Sequence, residues 1–405
     1  MKYLVMLGDG MADRPLEALD GKTPLEAASK PNMDYLAQHG AVGMARTVPE
    51  GMPPGSDTAN LSVMGYAPEV YYSGRSPLEA VSMGVPVGEE DVTLRMNLVT
   101  LSDEENFADK TMIDYSAGEI ETQEAVELVR YLAEHLADEH IQLYPGISYR
   151  HCLVLRGAQT GTTLTPPHDI TGKPVRGHLP QGRYGAQLLS LMERAYALLS
   201  EHPINRARVS QGKNPANACW LWGEGTRPKL RPFQELYGLR GGVVCAVDLL
   251  KGIGLCAGMD VPDVPGATGA MWTDFAAKGR AALALFNDGC DLVYVHVEAP
   301  DECGHHGAPE AKVRAIEAID KDVLGFLMDA LRAQGEPFCV LLTPDHPTPC
   351  TIRTHVSDPV PFVLYDSTRE AGPHAPRYTE ALAQGTGLFL AKGPMLMEKL
   401  TKRDF

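Results

Sequence analysis

Four stretches, far apart in the chain, place carboxylates, imidazoles and one serine directly after runs that read as buried strands. "VHVEAPDECGHHG", beginning at Val295, breaks its apolar run at Pro300 and then presents Asp301, Glu302, His305 and His306. "LLTPDHPTPCTIRTH" adds Asp345, His346 and His355, and "YLVMLGDGM" adds Asp9. "GMPPGSDTANLSVMGY" delivers Ser56 to what reads as a helix start. Taken singly these are ordinary: an Asp after a strand is usually a turn or capping residue, and a Ser before a helix is usually a cap. Together, three Asp and three His are enough for two three-ligand metal sites with positions left open. An oxygen-rich shell favours Mn or Mg, and Zn accepts the same donors. Two such cations about 4 Å apart suit an in-line phosphoryl displacement, in which Ser56 takes the place of the nucleophile.

Such residues can meet only if the elements before them are aligned. Strand-like runs occur at the start of the chain and at 220–223, 241–250, 291–297, 338–343 and 361–365. Several are continuous apolar runs, as expected for strands covered on both faces. Between them, Val313, Ile316, Val323, Leu327 and Leu331 form one helical stripe over 311–333, with Pro309 at its start and Gly335 as its stop. The alternation predicts an α/β, doubly wound sheet with helices on both faces. Ligands of such sheets bind beyond the carboxyl ends of the strands, which would bring all four clusters to one rim.

From about 96 to 180 the texture changes. "NLVTL" and "HCLVLRG" flank an amphipathic helix on Val126, Val129, Leu132 and Leu136, followed by a long irregular segment rich in Gly, Pro and Thr. We read residues 1–95 and 181–405 as the core and 96–180 as an inserted, smaller α+β domain ending in a covering loop.

The 405 residues carry a formal net charge of −16, with 44% apolar and 22% charged residues. That balance disfavours nucleic acid or an anionic membrane as partner. The eight cysteines are scattered without a CxxC pair, which fits reduced thiols in the cytoplasm. Asp9 interrupts the first apolar run too early for a signal peptide, and no run approaches membrane-spanning length.

"MLGDGMADRP", "TPLEAASKPNMDYLAQHG", "PGSDTANLSVMGY", "YYSGRSPLEA", "VHVEAPDECGHHG" and "LLTPDHPTPCTIRTH" resemble the archaeal-type, cofactor-independent phosphoglycerate mutases of the alkaline phosphatase superfamily. "SYRHCLVLRG", "TPPHDI", "PANACWLWGEG", "AVDLLKGIGLCAGM" and "VPGATG" extend the resemblance over almost the whole chain. The resemblance implies an alkaline-phosphatase-like sheet and a transiently phosphorylated Ser56. It implies Asp9, Ser56, Asp345 and His346 as one metal's ligands and Asp301, His305 and His355 as the other's. It also implies exchange of 3- and 2-phosphoglycerate without 2,3-bisphosphoglycerate, under an inserted domain that binds the anion and excludes water. His306 lies outside the pattern.

Arg150, His151, His168, Asp169, Arg176 and Lys251 are the polar or cationic candidates for holding that substrate, although a solvated charge is the commoner role for such residues. Lys251 is expected where a strand ends in a glycine turn. The same scaffold supports a homoserine kinase-like phosphotransferase, a metal-dependent phosphomonoesterase or a non-catalytic metal or phosphometabolite binder. "LEALDGKT" lacks the first glycine of a P-loop, and "GEGTRP" lacks the third glycine of a dinucleotide fingerprint. Oligomeric state and the choice among Mn, Mg and Zn are not legible in the sequence.

Overall fold

A computed structural model describes residues 1–405, which form two compact units: 1–72 with 230–405, and 73–229. The first holds a seven-stranded sheet in the order Gly241–Val244, Leu292–Val297, Lys2–Gly8, Phe338–Thr343, Val360–Asp366, Ala41–Ala45, Phe389–Leu390. The first four strands of that order are parallel, and Val360–Asp366 runs antiparallel to both neighbours. Lys2–Gly8 sits between Leu292–Val297 and Phe338–Thr343 with Gly8 beside Val297 and Leu7 beside Thr343. Three parallel strands therefore end level, and Asp9, Glu298 and Pro344 emerge at one edge.

Alternation of side chains across the strands explains the continuous apolar runs. Leu4, Met6, Val293, Val295, Val340 and Leu342 share one core with helix Phe275–Asn287 and the helical segment after Pro309. Val5, Leu7, Tyr294 and Leu341, pointing to the opposite face, are equally buried, and helix Pro394–Lys402 packs against strand Phe338–Thr343 without joining that core. The sheet is thus covered on both sides, as expected. The expected stripe over 311–333 is helical throughout but contains a π-helical stretch at Ile319–Gly325, where buried Asp320 accepts hydrogen bonds from the backbone N–H groups of Asn32 and Met33. No helix is long and apolar enough to cross a membrane.

The second unit is an antiparallel sheet built around Val92–Leu101, which pairs with Arg150–Leu155, Ala218–Thr226 and, at its end, Met112–Asp114, while Ile141–Tyr144 lies beyond Arg150–Leu155. Helices Thr122–Leu136 and Gly185–Ser200 share its core. The buried stripe of the first is Ala125, Leu128, Val129, Leu132 and Leu136, with Val126 on its flank. This α+β unit is wider than the 96–180 expected. "WLWG" lies in a strand laddered to Val92–Val99, so 218–226 cannot belong to the larger sheet. A strand's composition does not reveal which sheet it joins.

Candidate active site

Asp9 follows strand Lys2–Gly8, and its N–H donates to Val297 O at 3.0 Å, which ties the loop to the neighbouring strand end. Gly10 comes next with φ +59°; a Cβ there would lie 2.6 Å from Asp301 Oδ1, so the turn requires glycine. Its N–H donates to Asp345 Oδ1 at 3.1 Å. Asp345 is fully buried, and its two oxygens also accept from His346 N at 2.9 Å and Asn60 Nδ2 at 2.9 Å. Asn60 in turn accepts from Tyr294 Oη at 2.6 Å. Ser56 opens helix Ser56–Val63, and its Oγ lies 3.2 Å from His346 Nε2. That nitrogen lies 3.4 Å from Asp345 Oδ2 and 3.6 Å from Asp9 Oδ1.

"APDECGHH" is helix Ala299–His306 with Pro300 in its first turn and Gly307 as a left-handed cap. The helix puts Asp301 and His305 on one face, with His305 Nε2 3.2 Å from Asp301 Oδ2. His355 Nε2 is 3.3 Å from Asp301 Oδ1 and 3.0 Å from His305 Nε2. Gly304 lets this helix lie close to the loop after Asp345: a Cβ there would be 2.3 Å from Thr348 O. Thr348 Oγ1 donates to Asp301 and lies 3.3 Å from His346 Nδ1, linking the two groups.

Two donor sets result, Asp9–Asp345–His346 and Asp301–His346–His355, each with ligating atoms within 4.8 Å of one another. His346 stands between them, and His305 reaches the second through the contacts above. All the metal-ligand candidates and Ser56 therefore converge, drawn from four separate stretches. His306 points elsewhere, its Nδ1 2.9 Å from Glu302 O.

The electrostatics fit divalent cations. Burial, then Asp345 and Asp301, push the Asp9 carboxyl well above its usual range. Its Oδ1 is buried without a hydrogen-bond partner. His305 Nδ1 faces Arg353 O at 3.0 Å; a hydrogen donated there leaves Nε2 free to ligate, 3.0 Å from another imidazole Nε2. Burial raises Asp301, but His305 and His355 outweigh it and hold the group well below the carboxylate range. Asp301 in turn lifts His305 to about 9 against some loss from burial, and burial lowers His346.

Arg150 is exposed, 5.6 Å over the Tyr149 ring. His168 lies 3.7 Å from Asp169 and packs edge-on to Trp222 and Tyr115. Arg176 is exposed and paired with Asp109. His151 is buried, its Nδ1 accepts from Gly146 N at 2.9 Å, its Nε2 has no hydrogen-bond partner, and burial drops its pKa to about 3. Lys251 lies inside helix Asp248–Cys256 and not at a strand end, because the strand stops at Val244; it pairs with Asp263 at 2.7 Å. Sequence reading missed Arg95, stacked 4.1 Å over Trp222 and paired with Glu79 at 2.8 Å. It also missed Asn60 and Thr348, although Asn60 follows Ser56 by one helical turn and Thr348 follows His346 by two residues.

The family description "2,3-bisphosphoglycerate-independent phosphoglycerate mutase" matches residues 37–205. A protein of that name from Methanothrix thermoacetophila is 54% identical over 367 residues, 91% of either chain. Another, from Methanosarcina barkeri, is 47% identical over 99% of this chain and 100% of its own. The chain belongs to the 2,3-bisphosphoglycerate-independent phosphoglycerate mutase family. Solved structures share the fold. A Pyrococcus horikoshii protein superposes with TM-score 0.83 at 30% identity, covering 100% of this chain and 98% of its own. The cofactor-independent phosphoglycerate mutase of Thermoplasma acidophilum gives TM-score 0.70 at 27% identity, covering all of both chains. The family name carries independence from 2,3-bisphosphoglycerate, and these names do not favour the kinase or phosphomonoesterase alternatives.

Proposed function

We propose that this chain interconverts 3-phosphoglycerate and 2-phosphoglycerate, a glycolytic step, through a phosphoserine at Ser56. The observation that carries the reading is the placement of Ser56 Oγ, at a helix start and 3.2 Å from His346, beside two Asp/His donor sets. Asp9, Asp345 and His346 with Ser56 would hold one divalent cation, and Asp301, His305 and His355 a second, of the Mn or Mg type. When bound, such cations acidify the serine hydroxyl and offset phosphoryl charge.

The residues of the chain do the rest. Helix Ser56–Val63 holds Ser56 at its first turn, where free backbone N–H groups favour the phosphoryl group that the serine acquires. In the first half-reaction the Ser56 oxygen attacks phosphorus, the bond to the C3 oxygen breaks, and that oxygen takes up the proton lost by serine. Bound glycerate then presents its C2 hydroxyl, which attacks the phosphoserine, and the proton returns to Ser56. Water reaching the phosphoserine would divert the cycle to free phosphate.

Phosphorus NMR on chelator-treated protein given back Mn²⁺ and supplied with 3-phosphoglycerate tests this. We expect 2-phosphoglycerate to accumulate without added bisphosphoglycerate and with little free phosphate, and Ser56→Ala to lose turnover on the order of 10⁶-fold. Turnover that survives in the Ser56→Ala protein would sink the phosphoserine route, and free phosphate as sole product would replace mutase by hydrolase.

A further inference from the structure

The two oxygens of Asp9 have different surroundings. Oδ1 faces His346, while Oδ2 lies 3.3 Å from Nε2 of His296, a fully buried residue in strand Leu292–Val297. The other ring nitrogen, Nδ1, is 3.4 Å from Glu298 Oε1. Glu298 is buried, accepts from Ala246 N at 2.7 Å, and is ion-paired with Lys278 of helix Phe275–Asn287. Lys278 is fully buried as well, and its Nζ also donates to the His296 carbonyl at 3.0 Å. Both His296 nitrogens are buried without a well-aligned hydrogen bond, and the two carboxylates, at 3.3 and 3.4 Å, are the polar groups they approach.

Burying an imidazole and an ammonium–carboxylate pair is a poor way to stabilise a core, since apolar residues of similar volume usually do as well or better. This chain of groups ends on the oxygen of Asp9 that faces away from His346. We infer that His296 is a positioning residue: it donates to Asp9 Oδ2, is braced from its far edge by Glu298 and Lys278, and so keeps Oδ1 turned toward the cation-binding set. The inference rests on the two-cation reading above, and it assigns work to residues that touch neither substrate nor cation. Partners that orient a ligand in this way typically change metal affinity about 10–100-fold when removed.

The test is Mn²⁺ binding, followed by the electron paramagnetic resonance of free Mn²⁺, on chelator-treated full-length protein, with the melting temperature measured in parallel without metal. His296→Leu removes the donor, His296→Asn carries an amide too short to reach Asp9, and His296→Gln places an amide nitrogen near the Nε2 position. The Leu and Asn variants are expected to weaken one of two Mn²⁺ sites about 10–100-fold, with the Gln variant within about threefold of the parent. Should the Leu protein not fold, the Asn-against-Gln contrast decides. Leu and Asn variants that bind both ions like the parent would overturn the inference alone. So would a Gln variant as weak as the Leu variant, which would make the ring's role one of packing. A parent that binds no Mn²⁺ would instead overturn the two-cation reading on which the inference rests.

Discussion

Asp9, Asp345 and His346 stand at strand ends and are almost wholly buried, whereas Asp301, His305 and His355 stand on a short helix and a loop, partly open to solvent. Side-chain exposure is 0–6% in the first group and 15–35% in the second. The same residue types are therefore braced differently. Asp345 takes three hydrogen bonds from the surrounding chain and Asp9 faces His296. In the open half His305 leans on Arg353 O, and Asp301 on Thr348 and the two histidines. The buried half is part of the fold; the open half is close to a side-chain clamp laid on it. That difference predicts that damage to the first half is paid in stability as well as activity, and damage to the second chiefly in activity.

Asp345→Ala is the severest way to probe this contrast. It strands Gly10 N and His346 N in a fully buried setting and removes one of the two acceptors of Asn60 Nδ2, which keeps Ser56 O, at about 1–3 kcal/mol for each donor left unmet. Loss of the neighbouring carboxylate relieves Asp9, which offsets part of this. We expect a net destabilisation of roughly 3 kcal/mol in urea without metal, together with loss of turnover. A variant as stable as the parent would show that the buried half is no more structural than the open one.

How far this was legible depends on where each residue's partners lie. Asp9, Asp301 and Asp345 could be read because each follows a continuous apolar run, and level-ended parallel strands bring such residues together whatever their separation in sequence. Ser56 was legible from the Pro-Gly turn that delivers it to a helix. The boundaries of the second unit were not, because 218–226 has the composition of any buried strand and only its ladder with Val92–Val99 assigns it. Lys251 was misplaced because "GGVVCAVDLL" continues its apolar run across the turn between strand Gly241–Val244 and helix Asp248–Cys256. That His151 is buried shows only once its strand is packed. His296 and Glu298 lay inside a quoted motif, but nothing local shows that His296 faces Asp9 or that Glu298 stands behind it.

His305→Ala probes the open half. The side chain is about one-third exposed and its backbone contact is a single carbonyl, so water can satisfy what it leaves. Stability without metal should change by under about 1 kcal/mol, while turnover at limiting Mn²⁺ falls about 10²-fold and recovers in part at saturating Mn²⁺. Unfolding in urea and a Mn²⁺ titration of the rate measure the two effects separately. A stability loss matching that of Asp345→Ala would erase the distinction between the halves.

The smallest effect is a pH slope peculiar to the open half. Without metal, Asp301 raises His305 from 6.5 to about 9, so the folded state binds the proton more tightly than the unfolded chain does. A group raised on folding contributes its stabilisation fully below its unfolded value and loses it through its folded value. The contribution is therefore complete below about pH 6.5 and gone above about pH 9. Partial exposure screens the Asp301 interaction, so the decline should be shallow. The melting temperature of chelator-treated parent should fall faster between these pH values than that of His305→Gln, which has no proton to lose there. The same proton competes with a cation for Nε2, so Mn²⁺ binding by this half should strengthen across the window in which metal-free stability declines. Parallel melting profiles for parent and variant would mean that the Asp301–His305 contact does not hold a proton in solution, and the open half would then lack the coupling that its geometry implies.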